Sequence, residues 1–168
     1  MIHRKQLDKI KAQVFKGKVI LLLGARQVGK TTLLSSLVKE IDVKTEWLNA
    51  DEGDILNDLT GANTSTQLLA MIGNITDLLI IDEAQQVPEI GRKLKLLNDT
   101  KPNLQVIATG SSAFDLLNRT HEPLTGRKRI FYLYPLSFTE MTNHTSLREE
   151  KRLLERRMIY GYYPEVVN

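Results

Sequence analysis

A three-layer α/β fold around a five-stranded parallel sheet is what the sequence predicts, and three observations predict it. Two continuous apolar runs of strand length, Val19 to Leu23 and Leu78 to Ile81, have no polar face and so suit strands covered on both sides. Segments with apolar residues at helical spacing alternate with such runs along the chain, the pattern of a parallel sheet with helices on its faces. A glycine-bounded turn, Gly24 to Gly29, joins the first run directly to a helix-forming segment.

The elements follow in order. Leu7, Ile10 and Val14 space a short amphipathic helix over residues 5–15, and Gly17 releases the chain into the Val19–Leu23 strand. Residues 30–39 carry Leu33, Leu34, Leu37 and Val38 as the next helix. Thr45 to Asn49 reads as a second strand, and the polar, glycine-dotted stretch from Ala50 to Asn63 reads as loop. Thr64 and Gln67 have capping-box spacing ahead of a helix with Leu68, Leu69, Met71 and Ile72. The third strand, Leu78 to Ile81, ends in Asp82-Glu83. Pro88 suits the first turn of a helix bearing Ile90, Leu94 and Leu97. Leu104 to Thr109 is a fourth strand, followed by Gly110-Ser111-Ser112 and a short helix. Ile130 to Tyr134 is the fifth, halted by Pro135. Ser137 and Glu140 again have capping-box spacing, and one basic amphipathic helix is expected to run to Tyr160.

With 168 residues, no internal repeat and no low-complexity linker, the chain reads as a single domain over residues 1–168. It contains no cysteine, which excludes disulfides and thiolate chemistry. No apolar run approaches bilayer length, and Met1 to Gln6 lack the apolar stretch of a signal peptide, so a cytoplasmic location without membrane contact is expected. The net charge of +3 is only weak support for nucleic acid as a partner, a solvated mixed surface being the plainer reading. Its two basic clusters are Arg127-Lys128-Arg129 and residues 148–157, and the second alternates in sign, as an exposed helix face does.

Gly24-Ala25-Arg26-Gln27-Val28-Gly29-Lys30-Thr31 matches G-x-x-x-x-G-K-[ST] in full, between an apolar strand and a helix, which is the context this pattern requires. Glycines let the backbone approach a phosphate closely, and the loop N–H groups converge on it at the positive end of the helix that continues through Thr32. Lys30 is the expected ligand of the β- and γ-phosphates, and Thr31 of Mg²⁺. The expected fold is therefore that of the P-loop NTPases.

At the end of the third strand, Asp82 is expected to hold Mg²⁺ through its water shell, and Glu83 to act as general base toward the attacking water. The Thr45 to Asn49 strand between the phosphate-loop strand and this acidic one, with a Glu beside the Asp, favours the ATPase branch with its additional strand. No Asn-Lys-x-Asp segment for guanine occurs, so ATP is expected over GTP.

Ser111 and Ser112 follow the fourth strand, on the side where parallel strands line a ligand crevice. Ser111 is the candidate contact to the γ-phosphate or the attacking water, with a helix N-cap as the plain alternative. Arg127, just before the fifth strand, is a candidate for stabilising charge on the transferring phosphoryl group, from its own chain or a neighbour's. Arg26 lies inside the loop with its role open.

Together Gly24 to Leu33, Ile81-Asp82-Glu83-Ala84-Gln85, Thr109-Gly110-Ser111-Ser112, Leu124-Thr125-Gly126-Arg127 and Tyr134-Pro135-Leu136-Ser137-Phe138 resemble the AAA+-related ATPases of bacteria and archaea whose ATPase domain precedes a C-terminal domain of unknown function. The resemblance covers nearly the whole chain. It implies that Ser111 is similar to the first sensor and Arg127 to the finger arginine. It also implies that the helices from about residue 137 lead toward a second domain, and that residues closing over the adenine lie beyond residue 168. The expectation is Mg-dependent ATP binding and hydrolysis, coupled to conformational change in a protein partner, in self-association or in the further domain. A nucleotide-dependent binding switch with little turnover is the alternative. A small-molecule kinase is less favoured, because no arginine-rich lid is evident.

Overall fold

A strand without a polar face must be covered twice, and the fold does this for Val19–Leu23 by alternating its side chains between two cores. The computed structural model describes residues 2–73, 75–111 and 113–167. The sheet contains β1 (Val19–Leu23), β2 (Thr45–Asn49), β3 (Leu78–Asp82), β4 (Gln105–Gly110) and β5 (Lys128–Tyr132), in the order β2-β3-β4-β1-β5. All four pairings are parallel. β4 thus separates β1 from β3, the additional-strand arrangement expected from the sequence. The predicted fold class stands, with β1 and β2 at the predicted bounds and β5 beginning two residues earlier.

Val19, Leu21 and Leu23 point into one core with Leu79, Ile81, Val106 and Ala108. That face is covered by α3 (Gly53–Gly61), α4 (Ser65–Ile72), α5 (Ile90–Thr100) and α6 (Ala113–Thr120), through residues such as Leu59, Leu68, Leu94 and Leu116. Ile20 and Leu22 point the other way, with Leu78, Ile80 and Ile107, against α1 (Lys5–Lys11) and α2 (Lys30–Ile41).

Three local expectations are corrected. The stretch after β2, expected as loop, contains α3, because Ile55, Leu56 and Leu59 recur at helical spacing and pack on the core. Its glycines stand at the two ends of the helix, where they interrupt nothing. The buried Lys93 donates to the Thr60 and Ala62 carbonyls at 3.3 and 2.6 Å, satisfying groups that a helix end leaves open.

The single helix expected to reach Tyr160 is instead three: α7 (Phe138–His144), α8 (Leu147–Arg152) and α9 (Leu154–Tyr160). Beyond them lies the short α10 (Pro164–Val167). Ser146 caps α8, accepting from the Glu149 N–H at 3.1 Å, and so starts a new helix.

The alternating charges of residues 148–157 are not all solvated. Glu150 is fully buried, with Arg157 Nη2 at 3.3 Å and the Tyr162 hydroxyl at 3.5 Å. A sign alternation cannot distinguish a wet face from a buried ion pair.

Both predicted capping boxes form, at Thr64–Gln67 and at Ser137–Glu140. Among the described residues no helix is long and apolar enough to cross a membrane.

Candidate active site

The carboxyl ends of β1, β3 and β4 meet on one side of the sheet, and the chemistry-bearing side chains collect there. Gly24 leaves β1 with its N–H still bonded to the Gly110 carbonyl at 3.2 Å. A Cβ on Gly24 would lie 2.4 Å from the Leu133 carbonyl oxygen, so this position excludes every side chain before any ligand is considered. The turn closes at Gly29 with φ 95°, a left-handed conformation that only glycine adopts without strain. Residues 30 onward then enter α2, whose first turn directs free N–H groups into the loop.

Lys30 is buried, and its ammonium donates to the carbonyls of Gly24 and Ala25 at 2.9 and 3.1 Å, with Glu83 Oε1 at 3.8 Å. Thr31 donates its hydroxyl to Asp82 Oδ2 at 3.1 Å. The other oxygen of Asp82 accepts from the Thr109 hydroxyl. Glu83 begins the turn after β3 at φ 50°, an uncommon conformation for a non-glycine residue. Its N–H bonds Asp82 Oδ1 and Thr109 Oγ1, both at 3.2 Å, which holds the strained residue in place.

The Glu83 side chain turns back over the loop. Its Oε2 accepts from Gln85 Nε2 at 2.5 Å and from the Ser111 hydroxyl at 2.8 Å. Burial pushes the carboxyl up, but hydrogen bonds from Gln85 and Ser111, with the Lys30 charge, outweigh it and hold the group below the usual carboxylate value. Glu83 is therefore an ionised acceptor at neutral pH.

Lys30, Thr31 and Glu83 border a cavity of about 480 Å³ lined also by Arg26, Gln27, Thr32 and Asp51. Arg26 and Gln27 are exposed, and Val28 is buried under the loop. A second, mainly apolar cavity of about 160 Å³ adjoins it on the other side of Gly29 and Thr32, walled by Ile2, Arg4, Leu7, Leu33, Leu136 and Pro164. Arg4 fixes this wall. It donates to Glu140 Oε1 and the Val28 carbonyl, both at 3.2 Å, and to the Tyr134 carbonyl at 2.5 Å.

Asp82 and Thr31 offer a carboxylate and a hydroxyl, both hard oxygen donors. Among the described residues no cluster of three or more His, Cys, Asp or Glu could hold a metal unaided. A divalent ion here would complete its shell with phosphate and water, the habit of Mg²⁺, so the donor set fits that ion.

Of the residues expected from the sequence, the structure gathers Gly24 to Thr32, Asp82, Glu83 and Ser111. Arg127 it does not. Its carbonyl accepts from the Val19 N–H at the amino end of β1, a full strand length from the loop, and its guanidinium pairs with Asp99 at 2.9 Å. Arg127 therefore cannot reach the loop of its own chain. Ser112 lies outside the described residues. Sequence reasoning assigned no role to Thr109, Gln85, Arg4 or Asp51. The parallel register Ile81↔Ala108 sets Thr109 beside Asp82, a signal available once strand order is known. Arg4 acts on partners 24 to 136 positions away, and no local pattern could have found it.

A family model described as an AAA domain matches residues 16–142. An uncharacterised protein of Mycobacterium tuberculosis is 30% identical over 141 residues, and one of Methanocaldococcus jannaschii 35% over 148. Each alignment covers 83% of this chain, which spans about 30% of the length of these relatives. The Walker-type ATPase of Pyrococcus abyssi superposes with a TM-score of 0.59 at 18% identity, covering 92% of this chain and 59% of that one. That likeness extends to the fold. Motif, strand order, site and family match agree: the chain belongs to the AAA domain family of P-loop ATPase-like proteins.

Proposed function

We propose that this domain binds Mg²⁺-ATP and hydrolyses it. The observation that carries the reading is the convergence of Lys30, Thr31 and an ionised Glu83 on one cavity, with Asp82 hydrogen-bonded to Thr31 beside it. The triphosphate lies along the loop from Gly24 to Thr32, with the N–H groups of the α2 terminus directed at its β-phosphate. Lys30 exchanges the Gly24 and Ala25 carbonyls for β- and γ-phosphate oxygens. Thr31 and Asp82 would hold Mg²⁺, which neutralises phosphate charge when bound. The apolar cavity beside Gly29 takes the base, between Leu7 and Pro164.

Glu83 accepts a proton from water. The water oxygen attacks the γ-phosphorus, the bond from that phosphorus to the β–γ bridging oxygen breaks, and ADP and phosphate are the products. Ser111, hydrogen-bonded to Glu83, is placed to sense the γ-phosphate.

The domain passes the change to a protein partner, a second copy or a further domain. Exposed Met158, Ile159 and Tyr160 on α9 support a protein contact there. Arg127 enters this reading only as a residue acting on a neighbouring molecule's site.

Phosphate release from Mg²⁺-ATP, compared with Lys30→Ala and Glu83→Gln variants, tests the proposal. Turnover absent from both variants supports it. Wild-type binding without turnover would favour a nucleotide-dependent switch, and failure of the folded wild type to bind would sink the reading.

A further inference from the structure

Gln85 sits in the 3-10 turn Ala84–Gln86, immediately after the acidic end of β3. Its amide nitrogen is shared between Glu83 Oε2 at 2.5 Å and Ser111 Oγ at 3.2 Å, while Ser111 itself donates to the same carboxylate oxygen at 2.8 Å. The three side chains close a ring that occupies Oε2. The other oxygen, Oε1, is left facing Lys30 and the phosphate cavity.

The far end of the amide is costly. Among the described residues Gln85 Oε1 is buried without a hydrogen-bond partner. An orphaned carbonyl of this kind calls for an explanation, since most buried acceptors are satisfied. Turning the amide over would put its oxygen against the Glu83 carboxylate, so the carboxylate dictates the orientation and the orphan is its consequence. The fold also makes room for it. A Cβ on Gly110 would lie 2.9 Å from this oxygen, so glycine at the end of β4 is what lets the amide lie flat beneath Glu83.

We infer that Gln85 is a positioning residue for Glu83, fixing Oε2 so that Oε1 is aimed at the water that attacks the γ-phosphate. This rests on the hydrolytic reading above. Glu83 leaves β3 at φ 50°, with its backbone clamped by Asp82 and Thr109. Backbone clamping alone leaves the side-chain torsions free, and Gln85 with Ser111 supplies the remaining constraint. Gln85 hydrogen-bonds Glu83 and Ser111 and does not line the cavity, so its effect is expected on turnover and not on nucleotide affinity.

The test is steady-state hydrolysis of Mg²⁺-ATP by Gln85→Met, which keeps length and apolar packing but has no donor. Calorimetric binding of a non-hydrolysable ATP analogue and a melting curve are measured beside it. The expected result is a 10- to 100-fold lower kcat, about the effect of losing one hydrogen bond to a charged group, with the analogue Kd within about twofold of wild type. Gln85→Met added to Glu83→Gln should lower the residual rate no further. Gly110→Ala, whose Cβ presses on the Gln85 amide and also on Leu116, should lower kcat in the same direction and, where its melting curve shows it folded, provides a second route if Gln85→Met melts early. Wild-type kcat in both variants would overturn the inference, as would a parallel loss of kcat and analogue affinity. A wild type that binds the analogue but shows no turnover would overturn the hydrolytic reading and this inference with it.

Discussion

Arg4 and Glu140, 136 positions apart in the chain, form an almost buried ion pair with Arg4 Nε 3.2 Å from Glu140 Oε1. Burial pushes the Glu140 carboxyl up, but the Ser137 N–H and hydroxyl, the Arg4 charge and the Lys5 N–H together hold it below its ordinary value. A depressed carboxylate stabilises the fold above its unfolded value of 4.5 and loses that contribution as pH falls through the lower folded value. Thermal unfolding from pH 7 to pH 3 should therefore show a steeper loss below 4.5 in the wild type than in Glu140→Gln. At pH 7 the variant should be less stable by roughly 3 kcal/mol, the cost of leaving a buried partner unpaired. Equal pH slopes in the two proteins would refute the assignment.

Lys30→Ala and Glu83→Gln should separate binding from chemistry. The first removes the buried ammonium that stands at the phosphate loop and should abolish detectable ATP binding by calorimetry. The second keeps the shape of the side chain and should retain binding while turnover drops about 10²- to 10⁴-fold. Retained affinity in Lys30→Ala would mean that the loop is not the binding determinant.

Thr109→Val tests the clamp under the acidic pair. The hydroxyl donates to Asp82 and accepts from the Glu83 N–H, and Thr109 is fully buried. Valine fills the same space but removes one of the two acceptors of the Glu83 N–H and one of the two donors to Asp82 Oδ1. A loss of about 1–3 kcal/mol in denaturant unfolding is expected, together with reduced turnover. Unchanged stability would show that the two acids hold their geometry without it.

The pairing of Glu150 with Arg157 predicts a sharp contrast within one charged stretch. Arg157→Met leaves Glu150 buried and uncompensated and should cost roughly 3–5 kcal/mol, read as raised hydrogen exchange across α8 and α9. Lys151→Ala, on an exposed position of the same stretch, should stay within about 0.5 kcal/mol of wild type. Similar effects for the two substitutions would count against the buried pair.

Strands were the most legible part of the sequence, because β1 and β3 are buried on both faces and show it as unbroken apolar runs of strand length. The phosphate loop and the acidic pair were equally plain, since both are contiguous strings whose spacing is set by backbone geometry. What escaped depends on contacts between distant segments. α3 carried a local signal in Ile55, Leu56 and Leu59, masked by its polar, glycine-dotted surroundings, whereas the completion of its C-terminus by Lys93, more than thirty positions away, has no local sign. Glu150 and Arg157 look like surface charges until the chain folds back to bring Tyr162 against them. Arg127 carries a suggestive neighbourhood, but its position at the amino end of β5 follows from strand direction, which no local motif records.

Gly29 is the meeting point of two remote parts of the chain. A Cβ there would lie 3.7 Å from Arg4 Nη1 and 3.8 Å from Pro164 Cγ. The wall of the apolar cavity is thus a clasp made from residues near position 4 and near position 164, meeting beside the loop. Tension between those two segments would pull the clasp apart without disturbing the sheet, weakening ligand binding while the rest of the domain stays folded.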